Sequence, residues 1–362
     1  MRRPRRLTIE CNESLQTTKP IVTSAVNFNT AAVKSKPNVY FLLFDEYPGY
    51  KSLKDSFAFS NDSLYQFLET KEFKMLPTFS NYNTTFYSMA SMLNMQYIDK
   101  PYNPLQNTMD DDQARLKEIK NALAVSYFKS MGYSFTNYSI FDILDEPSVK
   151  GNSFVISQAT LLTHKIFFNK MLSDVGWNFI RGKYRIPFIE KIYMHEDRNN
   201  KFIEKQLSEI KPQKSRPPVF MYAHFNMPHA LIFHDSAGNY LSNAQMFDPL
   251  TYYNKPAFLS YLKYTNEKIK KLVNTICVND PGSIVIVMSD HGYRGYNTTS
   301  VNQPLCFDNI CAVRFPDKNY LPLRDKWSTV NFFRYLFNCE FNQKIPYVSD
   351  SSVFLRDKKP DE

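Results

Sequence analysis

The run Val39-Tyr40-Phe41-Leu42-Leu43-Phe44, closed by Asp45-Glu46, decides how this chain is read. Six consecutive apolar residues without helical spacing fit a strand buried on both faces of a parallel sheet. The pattern returns twice. Val219-Phe220-Met221-Tyr222-Ala223 ends at His224, and Ile284-Val285-Ile286-Val287-Met288 runs into Ser289-Asp290-His291-Gly292. Between and after these runs the spacing predicts helices over 62–70, 86–95, 257–277 and 328–337, and a long amphipathic one over 112–131. Further extended segments are predicted at 74–82, 133–138 and 309–315. Strands alternating with helices give an α/β fold, a three-layer αβα arrangement around a mostly parallel sheet. Residues 1–36 carry no periodicity and read as a linker or arm. Residues 37–362 read as one domain, with about 150–210 as a helical insertion.

Composition narrows the function classes. Glycine occurs only 9 times in 362 residues, about 2.5% against an average near 7%. Neither G-x-G-x-x-G nor G-x-x-x-x-G-K-S/T occurs, which argues against P-loop ATPases and most dehydrogenases. Three of the glycines, Gly49, Gly292 and Gly295, lie close to the acidic strand ends. Net charge is +9, and Arg2, Arg3, Arg5 and Arg6 contribute four of those charges. The remaining basic residues are dispersed, without the clustered pattern of a nucleic-acid binder, so no nucleic-acid partner is expected. A mildly basic surface suits an anionic substrate or an anionic membrane face. Five cysteines, Cys11, Cys277, Cys306, Cys311 and Cys339, make no C-x-x-C motif, although Cys306 and Cys311 are close enough in sequence to bridge. No apolar stretch reaches the length of a membrane span. MRRPRR resembles the start of a signal peptide, but LTIECNESLQTT is too polar to continue one. The chain is therefore expected to be cytoplasmic, or to work outside the cytoplasm with an export or anchor segment absent from this sequence.

Polar groups gather at the ends of the three apolar runs: Asp45-Glu46, His224 and Asp290-His291. In open α/β sheets the carboxyl ends of strands are where ligands bind. Two carboxylates and an imidazole there form an oxygen–nitrogen set suited to a divalent cation. Each Asp alone reads as readily as a helix N-cap or a turn residue.

These residues carry a family resemblance. PNVYFLLFDEYPGY resembles the opening strand and acidic metal-binding turn of the alkaline phosphatase superfamily, in its sulfatase-like branch. SNYNTTFYSMASMLNM resembles the nucleophile helix of that branch, and IVIVMSDHGYR its second metal-binding turn. HFNMPHALIFHDSAGN resembles the histidine segment facing the substrate. NICAVRFPDKNY with STVNFFRYLFN resembles the closing strand and helix. The likeness runs in order from about residue 37 to residue 340, and S-D-H-G is its most specific piece.

The resemblance implies a metal-dependent hydrolase or transferase of anionic esters. It places Thr85 at the nucleophile position, with Tyr87 and Met89 where sulfatases carry Pro and Arg. Formylglycine cannot form from threonine, so Thr85 is similar to the nucleophile of the phosphoethanolamine and phosphoglycerol transferases of bacterial envelopes. Thr84 and Ser88 are the alternatives. Metal ligation is assigned to Asp45, Asp290, His291 and Thr85, with Glu46 as an added ligand or as part of a second metal site. Zinc comes first among the ions, with manganese, magnesium and calcium as further candidates. His229 is assigned proton transfer, and His224 and Arg294 substrate contact; His224 reads equally well as a buried strand-end residue. No histidine follows His291, so a complete second metal site of the two-metal kind is not expected. His164, His195 and His234 receive no role. The implied substrate is a phosphate or sulfate ester, such as a membrane-surface lipid headgroup or a glycan, met in the periplasm or outside the cell. Two other readings stay open: a sulfatase or phosphodiesterase with an unconventional nucleophile, and a non-catalytic module that retains the fold.

Overall fold

The three apolar runs stand side by side in the computed structural model, which describes residues 27–99, 103–104, 106–149, 194–210, 217–295, 303–322 and 325–356. In chain order the strands are β1 (Val39–Phe44), β2 (Lys74–Met75), β3 (Thr78–Phe79), β4 (Ser134–Tyr138), β5 (Val219–Phe225), β6 (Ile284–Met288), β7 (Cys311–Arg314) and β8 (Trp327–Ser328). The helices are α1 (Tyr50–Phe57), α2 (Asp62–Thr70), α3 (Thr85–Asn94), α4 (Met109–Lys120), α5 (Leu123–Ser130), α6 (His195–Ser208), α7 (Asn243–Met246), α8 (Pro249–Tyr253), α9 (Lys255–Asn279) and α10 (Phe332–Glu340).

The main sheet has the order β2-β7-β6-β1-β5-β4. β6, β1, β5 and β4 are parallel, whereas β7 and β2 each run antiparallel to their neighbour. β1 is central, and all of its residues are buried. Alternation along it fills two cores. Val39, Phe41 and Leu43 face α3, α4, α5 and α10 through Met92, Ile119, Phe128 and Phe337. Tyr40, Leu42 and Phe44 face α1, α2, α6 and α9 through Leu53, Leu68, Ile203 and Ile269. Phe41 stacks on Tyr222 at 5.0 Å and on Phe332 at 6.2 Å between centroids, and its full burial is worth roughly 1.5–3 kcal/mol. Helices therefore cover both faces of the sheet, as the apolar runs imply.

Register carries the fold to the site. Leu43 pairs with His224 on one side and with Met288 on the other. Two residues further on, Asp45 and Asp290 leave the sheet at neighbouring positions, with His224 beside them.

Several elements differ from expectation in their limits. The helix expected over 112–131 is two helices, broken at Asn121 and Ala122. Asn94 explains the break, because its side-chain amide donates to Glu118 O at 3.1 Å and its carbonyl accepts Leu123 N at 3.0 Å. Groups that a helix end leaves orphaned are thereby satisfied. α4 also starts early, at Met109, on a capping box between Thr108 and Asp111. The last helix begins as a 3-10 turn at Thr329–Asn331 before α10. Residues 74–82 form two short strands rather than one segment, with β3 pairing β8 outside the main sheet. Most of the segment expected to be a helical insertion, and His164 with it, lies outside the described residues. In the expected arm, Phe28 stacks on Tyr127 at 4.4 Å.

Candidate metal centre and active site

The turn after β1 is held from several sides. Asp45 N donates to Phe225 O at 2.9 Å, Glu46 N to Asp290 Oδ1 at 3.1 Å and Tyr47 N to Ser289 Oγ at 2.8 Å. Glu46 has φ of 60°, a left-handed conformation that is uncommon for a non-glycine residue and often marks functional turns. On the facing turn, Ser289 Oγ donates to His291 O at 2.7 Å. Gly292 closes that turn where a Cβ would meet Asp308 O at 2.5 Å and Leu305 O at 2.6 Å. Only glycine fits there.

The two turns bring Asp45, Asp290 and His291 together, with ligand atoms all within 4.8 Å of one another. All three are buried. Asp45 Oδ1 and Asp290 Oδ2 have no hydrogen-bond partner, and Asp290 Oδ2 lies 3.3 Å from His291 Nε2. Buried, unpaired carboxylate oxygens are costly unless a cation meets them. The imidazole is set for the same task. His291 Nδ1 lies 2.8 Å from Gly292 O, a carbonyl that only accepts, so Nδ1 carries the hydrogen and Nε2 presents its lone pair. The donor set thus fits a divalent metal. Glu46 is not in this group. Its Oε1 accepts from the Tyr252 hydroxyl and from the Arg294 backbone amide, and its Oε2 lies 3.6 Å from His229 Nε2. Like Asp45 Oδ1 and Asp290 Oδ2, Glu46 Oε2 is buried without a hydrogen-bond partner.

α3 brings the hydroxyl. Thr85 Oγ1 lies 3.3 Å from His291 Nε2. Ser88, one turn on, donates to Asp290 O at 2.5 Å, which ties the helix to the metal turn and engages the hydroxyl of that alternative nucleophile. Tyr87 and Met89 point into the core: both are fully buried, and the Arg115 guanidinium lies over the Tyr87 ring at 5.0 Å. Met89 supplies no cation where sulfatases have arginine.

His224 sits at the end of β5 with its ring fully buried. Its Nδ1 meets the Tyr222 hydroxyl at 2.9 Å and its Nε2 lies 3.5 Å from Asp45 Oδ2. It braces Asp45 rather than facing an open space. Burial pushes the Tyr222 hydroxyl well above its ordinary pKa, with the Asp290 and Asp45 charges adding to it. The Asp45 carboxylate only accepts, so the His224 Nε2 hydrogen points to it and Nδ1 is left to accept from the Tyr222 hydroxyl. Burial raises the Asp45 carboxyl, but the charge of His229 and then the His224 hydrogen bond lead the contributions that hold it well below its usual range.

Across the site, His229 Nδ1 donates to Ala230 O at 2.6 Å, and Arg294 Nη2 lies 3.2 Å from His229 Nε2. Burial disfavours the charged imidazolium of His229, but the carboxylates of Asp45 and Glu46 outweigh it and raise its pKa. Asp45, Thr84, Thr85, Phe86, Asn107, Asp112, Ile140, His229 and Arg294 line a cavity of about 160 Å³.

Three residues near the site escaped the sequence reading. Glu196, on α6, accepts from Asn226 Nδ2 at 2.6 Å, and its carboxyl is pushed up to about 7, by burial first and then by the Asp45 charge. It lies in a stretch whose pattern places nothing. Tyr252 sits in a short helix without a motif. Tyr222 did leave a signal, since residues two apart on a strand share a face with His224. His234 is a buried residue hydrogen-bonded to Asp197 at 2.8 Å, and His195 opens α6. Cys277, Cys306, Cys311 and Cys339 are free thiols.

A family model described as Sulfatase matches residues 50–330. No curated protein matches the chain in sequence. Among solved structures the chain is similar to the C-terminal periplasmic domain of EptC from Escherichia coli in complex with zinc, at TM-score 0.51 and 11% identity, covering 92% of this chain and 90% of that one. A second crystal structure of that domain gives TM-score 0.50, 11% identity and the same coverage. The C-terminal periplasmic domain of the phosphoethanolamine transferase EptC from Campylobacter jejuni gives TM-score 0.47 and 10% identity over 88% of this chain and 94% of that one. At such identity the two Escherichia coli structures speak to the fold alone.

Proposed function

The chain belongs to the sulfatase family of the alkaline phosphatase superfamily, and from that premise we propose that it is a metal-dependent hydrolase or transferase of phosphate esters that works through a phosphothreonine at Thr85. The observation that supports this most is the meeting of a helix-borne hydroxyl with two unpaired carboxylate oxygens and an imidazole lone pair. Asp45, Asp290 and His291, with the Thr85 hydroxyl, would hold the metal. When bound, a divalent ion supplies Lewis acidity toward the hydroxyl and the phosphoryl oxygens. Zinc is our first choice, in keeping with the zinc complex of the Escherichia coli domain.

In this reading Thr85 Oγ1 attacks phosphorus in line and loses its proton to solvent. The Oγ1–P bond forms and the bond from phosphorus to the leaving oxygen breaks. As Arg294 Nη2, 3.2 Å from His229 Nε2, turns to the phosphoryl group, Nε2 takes up a proton and gives it to the leaving oxygen. Water or an acceptor alcohol then attacks phosphorus and gives its proton to His229, the P–Oγ1 bond breaks with its electron pair going to Oγ1, and Thr85 regains a proton from solvent. Arg294, whose side chain is 34% exposed, clamps a non-bridging oxygen. Glu46 holds Arg294 and His229 in place, and His224 with Tyr222 orients Asp45. Threonine in place of a formylglycine precursor favours phosphate over sulfate esters. An envelope lipid headgroup or glycan-linked ester suits the basic surface and the periplasmic setting of the EptC domains. No described helix is long and apolar enough to cross a membrane. We take residues 37–362 as the catalytic unit and 1–36 as its arm.

The test is to incubate metal-loaded protein with phosphate-ester donors, quench in acid and map peptides by mass spectrometry. A phosphoryl adduct on Thr85, absent from Thr85→Ala, is expected. Full turnover by Thr85→Ala would refute the reading.

A further inference from the structure

We propose that Glu196 and Asn200, both on α6, are positioning residues that hold the segment carrying His229 so that its imidazole meets the leaving oxygen. This rests on the proton-transfer reading of His229 given above.

His229 follows β5 on a stretch that is neither helix nor strand. Site groups orient its ring: Nε2 faces Arg294 and Glu46, and Nδ1 donates to the adjoining Ala230 O. These contacts set the ring but not the course of the backbone. α6 sets that course. Asn226 N donates to Asn200 Oδ1 at 2.9 Å, and Asn200 Nδ2 donates back to Asn226 O at 3.4 Å. Asn226 Nδ2 donates to Glu196 Oε2 at 2.6 Å. The Leu231 backbone amide supports the same carboxylate. Both ends of the stretch 226–231 are thus tied to the first turns of one helix, with His229 between them.

α6 is itself fixed to the sheet. Residues 196, 200, 203 and 207 recur at spacings of four, three and four, which is one face of a helix. Ile203 and Leu207 are fully buried on that face, in the core that also holds Ala223 and Phe225 of β5. The same face turns polar at its start, where Glu196 and Asn200 meet the chain leaving β5. Asp197 extends the hold to His234 at 2.8 Å. Asp197, Asn200 and Asn226 are buried, so little water competes for these bonds. A reacting group on a loop is placed accurately only when a rigid element supports it. A displacement of about 1 Å can cost about 100-fold in rate, and a general acid is worth about that or more.

The test compares two esters that differ in their need for an acid, using the zinc-loaded full chain. Phenyl phosphate releases a strongly basic phenolate and needs a proton at the leaving oxygen; 4-nitrophenyl phosphate releases a weakly basic one and needs little help. The quantity read is kcat/KM, which covers the steps up to the adduct. Glu196→Ala is expected to lower it about 100-fold for phenyl phosphate and less than about fivefold for 4-nitrophenyl phosphate. Glu196→Gln still offers an oxygen to Leu231 N and an amide to Asn226, and should stay within about threefold of wild type on both esters. Asn200→Ala leaves Asn226 N without its acceptor and should show the same preference at about tenfold; it carries the test alone should Glu196→Ala fail to fold. In a His229→Ala background, which should show the split by itself, Glu196→Ala should not widen it. Equal losses on the two esters would mark a structural role and overturn the inference, as would a wider split in the His229→Ala background. If His229→Ala shows the split and neither α6 variant does, the His229 reading stands and this inference fails. If His229→Ala treats the two esters as wild type does, both fail.

Discussion

Asp290→Asn separates metal binding from stability in a way the geometry makes quantitative. Asp45 and Asp290 present carboxylate oxygens within 4.8 Å. Two unit charges at that distance repel by about 3 kcal/mol at an effective dielectric of about 20, and neighbouring histidines reduce the figure. Asn keeps the Oδ1 that accepts Glu46 N. Its Nδ2 would replace the unpaired Oδ2, 3.3 Å from the His291 Nε2 lone pair, and so gains an acceptor. The metal-free variant should therefore be more stable than metal-free wild type by up to about 3 kcal/mol, or about 5 °C in Tm for a chain of this size. Zinc should reverse the order. At about 100 times its dissociation constant it should stabilise wild type by about 2.7 kcal/mol and leave the variant unmoved. Calorimetric scans of chelator-stripped protein, with and without added zinc, measure both. An Asn variant less stable than wild type without metal, or equally stabilised by zinc, would refute the electrostatic reasoning.

Other outcomes are expected. Thr85→Ser should retain an adduct, now on serine, with reduced turnover, as peptide mapping would reveal. Tyr222→Phe leaves His224 Nδ1 without its donor; it should cost about 1–3 kcal/mol in urea melts and weaken zinc binding. Ser88→Ala removes the tether to Asp290 O and should lower kcat more than it raises KM, checked by steady-state kinetics. Glu196 has its carboxyl pushed up from 4.5 to about 7, chiefly by burial. A raised carboxyl favours folding while protonated, so that contribution is lost as pH climbs through this window. Glu196→Gln should match wild type near pH 4.5 and exceed it in stability at pH 8, by denaturant melts.

The sheet was legible because burial leaves a mark on composition. Strands covered on both faces must be apolar throughout, so β1, β5 and β6 announce themselves, and the polar residues that stop them mark the ligand edge. The family resemblance pointed to Thr85 as a candidate nucleophile, and the structure brings Thr85 and Ser88 to the turn of Asp290 and His291. Other features were settled by tertiary contacts without a local signature. The break between α4 and α5 depends on Asn94, almost thirty residues away. Glu46 follows Asp45 in sequence, but its Oε1 is engaged by Tyr252 and the Arg294 backbone amide while its Oε2 stays buried without a hydrogen-bond partner, a split that no local pattern announces. Glu196 reaches the site from a helix whose charged pattern resembles an ordinary solvated face.

The central claim is a metal held between two turns and one hydroxyl. Anomalous diffraction at the zinc edge from zinc-soaked crystals tests it most directly. A single strong peak is expected within bonding distance, about 2.0–2.2 Å, of Asp45, Asp290, His291 Nε2 and Thr85 Oγ1. A map with no peak there, or with zinc bound only elsewhere, would contradict it.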